Sequence, residues 1–227
     1  LMGMSQLSLT KCIILVSEGV NVRNFDEVMK NVRDHFDPHY DFVMIPRVPL
    51  DTLDFTSFKM NLGSKMIVDA TRKPDVRYGM GDVSGVSSEA RERRASQIPH
   101  LKSLDPRILD INLVHDTLLL MKVNGHGMPL VEKLVRHTEL PGIKIIAAVS
   151  EDVDIRDKEN YIWGVFTRFD CERDILFTEQ KLIGISPVYK GIMGIDATWK
   201  QGYPKPLRMT DEVKKRVEER WERYWKT

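Results

Sequence analysis

The sequence predicts an α/β protein: two related strand–helix–strand units forming mainly parallel sheets flanked by helices, plus a C-terminal amphipathic helix. An internal repeat predicts the two units, because the segment from Ser17 aligns with that from Ser150, and Val68–Lys73 aligns with Ile195–Lys200. Unbroken apolar runs predict buried parallel strands, and apolar residues at helical spacing after each run predict the crossing helices.

The first unit begins with the apolar run Cys12–Val16, which predicts a strand. Asn24 is placed to cap a helix over Phe25–His35, and a further apolar run begins at Phe42. Strand, helix and strand in this order predict a right-handed parallel crossover.

The second unit repeats the same order. Its apolar run is Ile143–Val149, Asp157 is the expected cap of a helix over Lys158–Arg168, and the next run begins at Ile175. This agreement of order and spacing indicates that the two copies share one fold.

A further strand and helix precede the second copy. Leu118–Val123 predicts a strand, Asn124–Gly127 a tight turn around His126, and Met128–His137 a helix. The first copy has no such preceding unit, so we expect this chain to be part of a longer polypeptide. The predicted division is residues 1–75, a polar linker over 76–107, and residues 108–227.

The clearest predicted helix covers residues 210–226. Thr210 is a suitable cap, and acidic residues follow it in the first turn, where the helix dipole favours them. One apolar stripe runs along this helix and is formed by Val213, Val217, Trp221, Tyr224 and Trp225. The stripe covers either the chain's own sheet or a partner subunit, since aromatic residues serve in both places.

Composition excludes several classes of protein. The chain has 34 Lys and Arg against 33 Asp and Glu, and a net charge of +1 gives no basic footprint for nucleic acid. Its two cysteines exclude a disulfide scaffold and a four-cysteine zinc site, and favour a reducing cytoplasm. No apolar run reaches the roughly 18 residues of a membrane-spanning helix.

Arg168 and Arg173 are the candidate anion-binding residues, because a guanidinium group offers a bidentate fork to a carboxylate or phosphate. The alternative is an ion-pair and capping cluster that fixes the turn. The first copy favours this alternative, since it retains the acidic positions as Asp37 and Asp41 but has neither arginine.

The pattern Asp-Ala-Thr-x-Lys occurs at matched positions in both copies. It comprises Asp69, Thr71 and Lys73 in the first copy and Asp196, Thr198 and Lys200 in the second. Asp and Thr side chains cap backbone amides and Lys pairs with Asp, which predicts a structural motif, with an active Asp–Lys pair as the alternative. No complete catalytic set, phosphate loop or metal-ligand spacing is present, so no catalytic, cofactor-binding or metal-binding residue is predicted.

Several strings resemble the C-terminal domain of UbiD-type decarboxylases. In the first copy they are Val20–Arg23, Phe36–Pro38, Asp51–Asp54 and Gly63–Lys73. In the second copy they are Trp163, Thr167–Asp170, Arg173–Asp174 and Gly194–Thr198. The tandem arrangement differs from the simplest family pattern, which has one such unit.

The resemblance implies a parent carboxy-lyase that acts on aromatic and unsaturated acids. It implies prenylated flavin mononucleotide with a divalent metal and potassium, held in a domain outside this chain, so the chain alone is expected to be inactive and flavin-free. It further implies an α/β layer that walls the substrate cleft, packs on its own flavin domain or a partner subunit, and supports homo-oligomers. The alternative is a non-catalytic scaffold or assembly subunit of a larger carboxylase.

Overall fold

The computed structural model describes residues 2, 4–57, 59–73, 87–136 and 140–225. Part of the predicted linker (74–86) and the predicted helix ends at His137 and Lys226 lie outside these ranges. The described strands are β1 (Cys12–Val16), β2 (Phe42–Pro49), β3 (Leu62–Ala70), β4 (Ile108–Val114), β5 (Leu118–Val123), β6 (Ile145–Ser150), β7 (Ile175–Ile183) and β8 (Ser186–Ala197). The described α-helices are α1 (Phe25–His35), α2 (Pro38–Asp41), α3 (Ser88–Leu101), α4 (Met128–Val135), α5 (Lys158–Phe166) and α6 (Asp211–Tyr224).

The strands form two sheets with the same local pairing. The first has the order β1-β3-β2, and the second has the order β4-β5-β6-β8-β7. In each copy the strand after the helix is antiparallel to the next strand, which is parallel to the first. The register is also the same, with Cys12 opposite Met66 and Ile145 opposite Met193.

The α/β class is confirmed. The predicted crossover is wrong, because the first strand of each copy pairs in parallel with the second strand after the helix and not with the first. The runs that begin at Phe42 and Ile175 form β2 and β7, which are antiparallel strands at the sheet edges. The parallel partners of β1 and β6 are β3 and β8. The physical reason is that each helix leads into a hairpin, and the hairpin's second strand enters the middle of the sheet while its first strand takes the edge. Both sheets are therefore mixed.

Side-chain caps begin the main helices as predicted. Asn24 accepts a hydrogen bond from the Asp26 amide at 3.1 Å, and Asp157 accepts one from the Asn160 amide at 2.7 Å. Thr210 caps α6 through the Val213 amide. These bonds satisfy amides that the first turn of a helix leaves without partners.

One hydrophobic cluster spans both units. The inner faces of the two sheets, helices α1 and α5 and the turn after α5 meet in it, including the buried side chains of Val32, Met66, Ala147, Phe169 and Ile195. Because neither sheet buries this face by itself, the two units share a core.

Polar contacts cross between the units beside this core. Lys11 Nζ donates to the Phe169 carbonyl at 2.9 Å, and the Glu172 amide donates to Ser64 Oγ at 2.8 Å. Lys144, which aligns with Lys11, lies near Asp37 and Asp41 of the first unit, and burial lowers its pKa. Each unit thus directs the same lysine position toward the other.

A second cluster covers the outer face of the second sheet. Helix α4 packs Leu130, Val131, Leu134 and Val135 on this face, and Leu101 at the end of α3 joins the same cluster. Gly194 permits the close approach, because a Cβ there would lie 2.4 Å from a Val131 methyl carbon. The end of the predicted linker region therefore packs against the second unit.

Candidate functional site

The repeated Asp-Thr-Lys motif forms a compact network in the second unit. Asp196 Oδ1 accepts from the Thr198 amide at 3.0 Å and from Thr198 Oγ1 at 2.6 Å. Lys200 Nζ donates to the Asp196 carbonyl at 2.8 Å and lies 3.4 Å from a carboxylate oxygen of Asp174. Asp174 in turn accepts from the Asp170 amide at 2.8 Å. The motif ties the end of β8 to the turn before β7.

The first unit reproduces this network with equivalent atoms. Asp69 Oδ1 accepts from the Thr71 amide at 2.9 Å and from Thr71 Oγ1 at 2.6 Å. Lys73 Nζ donates to the Asp69 carbonyl at 2.8 Å and lies 3.2 Å from Asp41. Asp41 accepts from the Asp37 amide at 2.9 Å. The structural role predicted for this motif and the alternative of an active Asp–Lys pair both stay predictions.

The two networks differ in the burial of their carboxylates and in the direction of the resulting pKa shifts. The Asp196 side chain is fully buried, whereas that of Asp69 is 34% exposed. Burial raises the pKa of Asp174 against the opposing effect of Lys200. Burial also acts to raise the pKa of Asp69, but hydrogen bonds from Thr71 and the charge of Lys73 outweigh it and lower that pKa.

Arg168 lies in a cage of two tryptophan rings, of which Trp163 is itself 46% exposed. The Arg168 side chain is fully buried, and its guanidinium carbon lies 4.8 Å from the centre of the Trp163 ring and 4.7 Å from that of Trp199. It binds both carboxylate oxygens of Asp152, at 2.8 and 2.7 Å. Hydrogen bonding and charge from Arg168 lower the Asp152 pKa, against the effect of burial. The carboxylate partner of this arginine thus comes from the chain itself.

Arg173 has a different environment, and its side chain is 46% exposed. It donates to the Thr56 carbonyl of the first unit and lies 3.5 Å from Asp170. The two predicted anion-binding arginines therefore contact different parts of the chain. Anion binding by them stays a prediction.

An open cleft of about 510 Å³ lies between β2 of the first unit and the β7–β8 hairpin of the second. Phe42, Phe177 and Tyr189 form its aromatic wall, with ring centres 4.7 to 5.2 Å apart. Lys181 and Glu172 lie on the same lining. Such a mixture of aromatic surface and a few charges is typical of sites for small organic ligands.

The cleft lining does not fit a complete flavin site. Lys181 is the one cation among the residues that line the cleft, and the Glu172 carboxylate on the same lining disfavours a phosphate group. In the described ranges, no group of three or more His, Cys, Asp and Glu side chains is placed to hold a metal ion. We therefore derive no reaction step through a cofactor at this cleft.

The two cysteines are unsuited to nucleophilic chemistry. Burial raises the pKa of Cys12 to about 12 and also raises that of Cys171. Since the thiolate is the reactive form, the burial of both thiols disfavours nucleophilic chemistry at either cysteine.

The apolar stripe of α6 lies on the surface. Val213, Trp221, Tyr224 and Trp225 are 40 to 70% exposed, and Val217 is intermediate. The rings of Trp221 and Trp225 contact each other at 5.6 Å. In the described ranges, these side chains do not cover the chain's own sheet. Docking of the stripe on a partner subunit stays a prediction. None of the helices in the described ranges is long and apolar enough to cross a membrane.

The comparison with known families identifies this architecture. Residues 1–70 and 93–197 match the C-terminal domain of 3-octaprenyl-4-hydroxybenzoate carboxy-lyase. The chain belongs to the UbiD C-terminal domain family. Both repeats contribute to the match, which confirms the resemblance inferred from their motifs.

The chain is similar to bacterial and archaeal proteins. The chain is 27% identical to a 4-hydroxybenzoate decarboxylase subunit of Chlamydia pneumoniae over 99% of its own length and 35% of that protein. An uncharacterized protein of Aeropyrum pernix is 42% identical over 35% of this chain and 16% of its own length. This chain thus spans about a third of the length of the chlamydial relative.

Solved UbiD-class structures overlap this chain in part. The closed form of vanillic acid decarboxylase from Sedimentibacter hydroxybenzoicus has a TM-score of 0.44 and 17% identity, covering 77% of this chain and 43% of that one. The evolved dimeric form of HmfF from Pelotomaculum thermopropionicum, in complex with prFMN, has a TM-score of 0.40 and 13% identity, with the same coverage.

Sequence reasoning missed several residues that organise these sites. It did not find Asp152, Trp163 and Trp199 as partners of Arg168, or the cross-unit role of Lys11. The repeat held a signal for the lysine, because Lys11 and Lys144 align when the alignment is extended back by a few residues. It held none for the cage, since the first copy has neither tryptophan at the aligned positions.

Proposed function

We propose that this chain is the C-terminal α/β portion of a UbiD-like enzyme that adds or removes CO₂ on an aromatic acid without net oxidation. The aromatic cleft beside Phe42, Phe177 and Tyr189 carries the proposal, because its size and lining suit a planar aromatic ligand. Membership of the UbiD C-terminal domain family supports it.

In this proposal the chain contributes shape and not reacting groups. The parent's prenylated flavin, with its divalent metal and potassium, supplies an electron sink when bound in a separate domain. The UbiD C-terminal residues wall the substrate side and exclude water with apolar side chains. The partner is the parent's own flavin domain or a separate flavin subunit, in the cytoplasm.

Kinetics of the complete enzyme test the cleft. Tyr189→Ala is expected to raise KM for the aromatic acid roughly tenfold, since a lost apolar contact in a pocket has an effect of that order. Tyr40→Ala, which changes a 46% exposed tyrosine of the first unit, is the matched control. Equal kinetic constants for the two variants, with both folded, would exclude the cleft from substrate binding.

The visible spectrum of the purified chain tests the division of labour. We expect no flavin absorbance from the chain alone and recovery of activity only with the flavin-binding part. A stoichiometric flavin in the isolated chain would contradict the proposal.

An assembly role is the second candidate function, and the exposed stripe of α6 favours it. In this alternative the chain is a scaffold subunit, and Trp221 and Trp225 anchor another subunit in a homo-oligomer or larger carboxylase. Sedimentation with and without residues 210–227 measures it. An unchanged mass after truncation would count against a docking helix.

A further inference from the structure

Within the described residues, one edge and one face of the first sheet are uncovered, whereas the corresponding edge and face of the second sheet are covered. Strand β6 lies between β5 and β8, whereas its counterpart β1 pairs with β3 alone among the described strands. On the outer face, Ala148 is fully buried under α4, but the aligned Leu15 is 38% exposed. Val43 on the same face of the first sheet is 48% exposed. Exposed apolar edge strands are otherwise avoided in proteins.

Within the described ranges, Thr71 at the end of the first sheet also lacks a hydrogen bond that the aligned Thr198 has in the second unit. In the second unit, Thr198 Oγ1 accepts a hydrogen bond from the Gly127 amide at 3.1 Å, where β5 turns into α4. In the first unit, Thr71 Oγ1 is held by Asp69 in the same way, but no donor reaches it from the described part of the chain. The acceptor for a strand-to-helix turn is therefore in place.

The side chains on the uncovered face of the first sheet indicate what size of residue a helix packed on it can carry. The second unit has Gly194 where α4 approaches closely, and Val131 and Val135 occupy the space. The aligned residue of the first sheet is Ile67, opposite Val43. A helix on this face must therefore carry small residues, such as alanine, where α4 carries these two valines.

We propose that β1, Thr71 and the outer face of the first sheet bind a strand–turn–helix segment of the same kind as residues 118–135. The segment adds a parallel strand to β1, places a turn amide on Thr71 Oγ1, and lays an amphipathic helix over Leu15, Val43 and Ile67. In the second unit these elements come directly before β6, so the segment is joined ahead of β1 in a longer polypeptide. This proposal does not depend on the proposed enzymatic function.

Two family observations agree with this assignment. The match over residues 93–197 includes β4, β5 and α4, which have no counterpart in the match over residues 1–70. The chain also spans 35% of its chlamydial relative, which leaves ample polypeptide to supply the segment.

Amide hydrogen exchange by NMR tests the proposal at single residues. In β6, the Ile145 amide donates to the Thr117 carbonyl beside β5. Amide directions alternate along a strand, so the Ala147 amide also points toward β5. The aligned Ile14 amide therefore points toward the open edge of β1. We compare this chain with the protein that includes the polypeptide encoded ahead of Leu1. In the longer protein, the Ile14 amide should exchange about 100-fold more slowly. The neighbouring Ile13 amide, which faces β3, should already be protected in both and serves as the internal reference.

Leu15→Lys in the longer protein should remove the added protection of Ile14, because it places a charge under the docked helix. Val22→Lys, at a 72% exposed loop position, is the matched control and should leave that protection intact. Equal exchange at Ile14 in the short and long proteins would overturn the proposal. Protection that appears in the short chain only at high concentration would overturn it in favour of pairing between two copies.

Discussion

At the scale of single residues, Lys200 and Lys73 hold the same position in two different environments. Each donates to the carbonyl of its motif aspartate, and each faces a second carboxylate across the turn. The carboxylates around Lys200 belong to Asp196 and Asp174, which are both buried, whereas Lys73 faces one buried and one partly exposed acid.

Replacing Lys200 by Met should therefore cost more stability than the matched Lys73→Met. The first change removes the lysine that faces two buried carboxylates and is expected to reduce the free energy of unfolding by about 3 kcal/mol, while the second should cost less. Urea unfolding of both variants measures the difference. Equal losses would mean that the burial of Asp196 has no energetic consequence.

The Arg168–Asp152 pair predicts a specific dependence of stability on pH. Because Arg168 lowers the folded-state pKa of Asp152, the pair stabilises the protein above the unfolded-state pKa of about 3.9, and this stabilisation is lost as pH falls through the lower folded-state value. Asp152→Asn should cost about 3 kcal/mol at neutral pH, since it leaves a buried arginine unpaired, and the deficit should shrink below about pH 3.9.

A surface pair provides the control for that experiment. Asp110→Asn disrupts a pair in which Arg156 is 61% exposed, and it should change the free energy of unfolding by less than about 1 kcal/mol. An Asp152→Asn deficit that is the same at pH 3 and pH 7 would contradict the proposed linkage.

The contacts within the Asp-Thr-Lys motif were predictable from sequence, while the carboxylate partner of Arg168 was not. The repeat pairs Asp69 with Asp196 and Thr71 with Thr198, and short-range capping follows from the residue types. Asp152 lies in the turn after β6 and meets Arg168 only because α5 folds back along that strand. A contact of this kind depends on tertiary packing, which local pattern does not encode.

At the scale of elements, Gly194 sets how closely α4 approaches the second sheet. A side chain at this position would meet methyl groups of Val131 and Val135 at 2.4 and 2.7 Å. The helix must move away or repack if the glycine is replaced, because both neighbours are buried and fixed.

Gly194→Ala should reduce the free energy of unfolding by about 1 to 3 kcal/mol through overpacking. Adding Val131→Ala should cost less in this background than in the original protein, because the second change removes the nearer of the two clashing methyl carbons. A double-mutant cycle by urea unfolding measures this coupling. Additive effects would show that α4 does not rest on Gly194.

The elements were predicted better than their pairing. Apolar runs and caps located β1, α1, β6, α5 and α6, yet the order of strands in the sheets required knowledge of the hairpins. Strand β4 was not predicted at all. It lies in a stretch without a continuous apolar run, and it is an antiparallel edge strand with intermediate burial along most of its length.

At the scale of the whole molecule, the two units pack through equivalent surfaces. Their inner sheet faces share one cluster, and Lys11 and Lys144 each point toward the opposite unit. The sequence division into residues 1–75 and 108–227 stays a prediction about organisation. The shared core indicates that the units depend on one another for stability.

A substitution in one unit should accordingly destabilise both. Met66→Ala in β3 should cost about 2 to 5 kcal/mol and should lower the midpoint recorded by tryptophan fluorescence, which reports the second unit because all 4 tryptophans of the chain lie there. Val22→Ala, in an exposed loop, should leave the midpoint unchanged. Two separate calorimetric transitions would show that the units unfold independently.

Because the two repeats pack through equivalent surfaces within one chain, each copy can accept amino-acid substitutions independently of the other. Two identical subunits that meet through one surface must carry every substitution twice, and they separate on dilution. Here the linkage along one chain keeps the pair together at any concentration, with an effective concentration on the order of millimolar. Each copy is then free to carry features that the other lacks. The caged Arg168 is present in one copy only, since the first copy has neither tryptophan at the aligned positions.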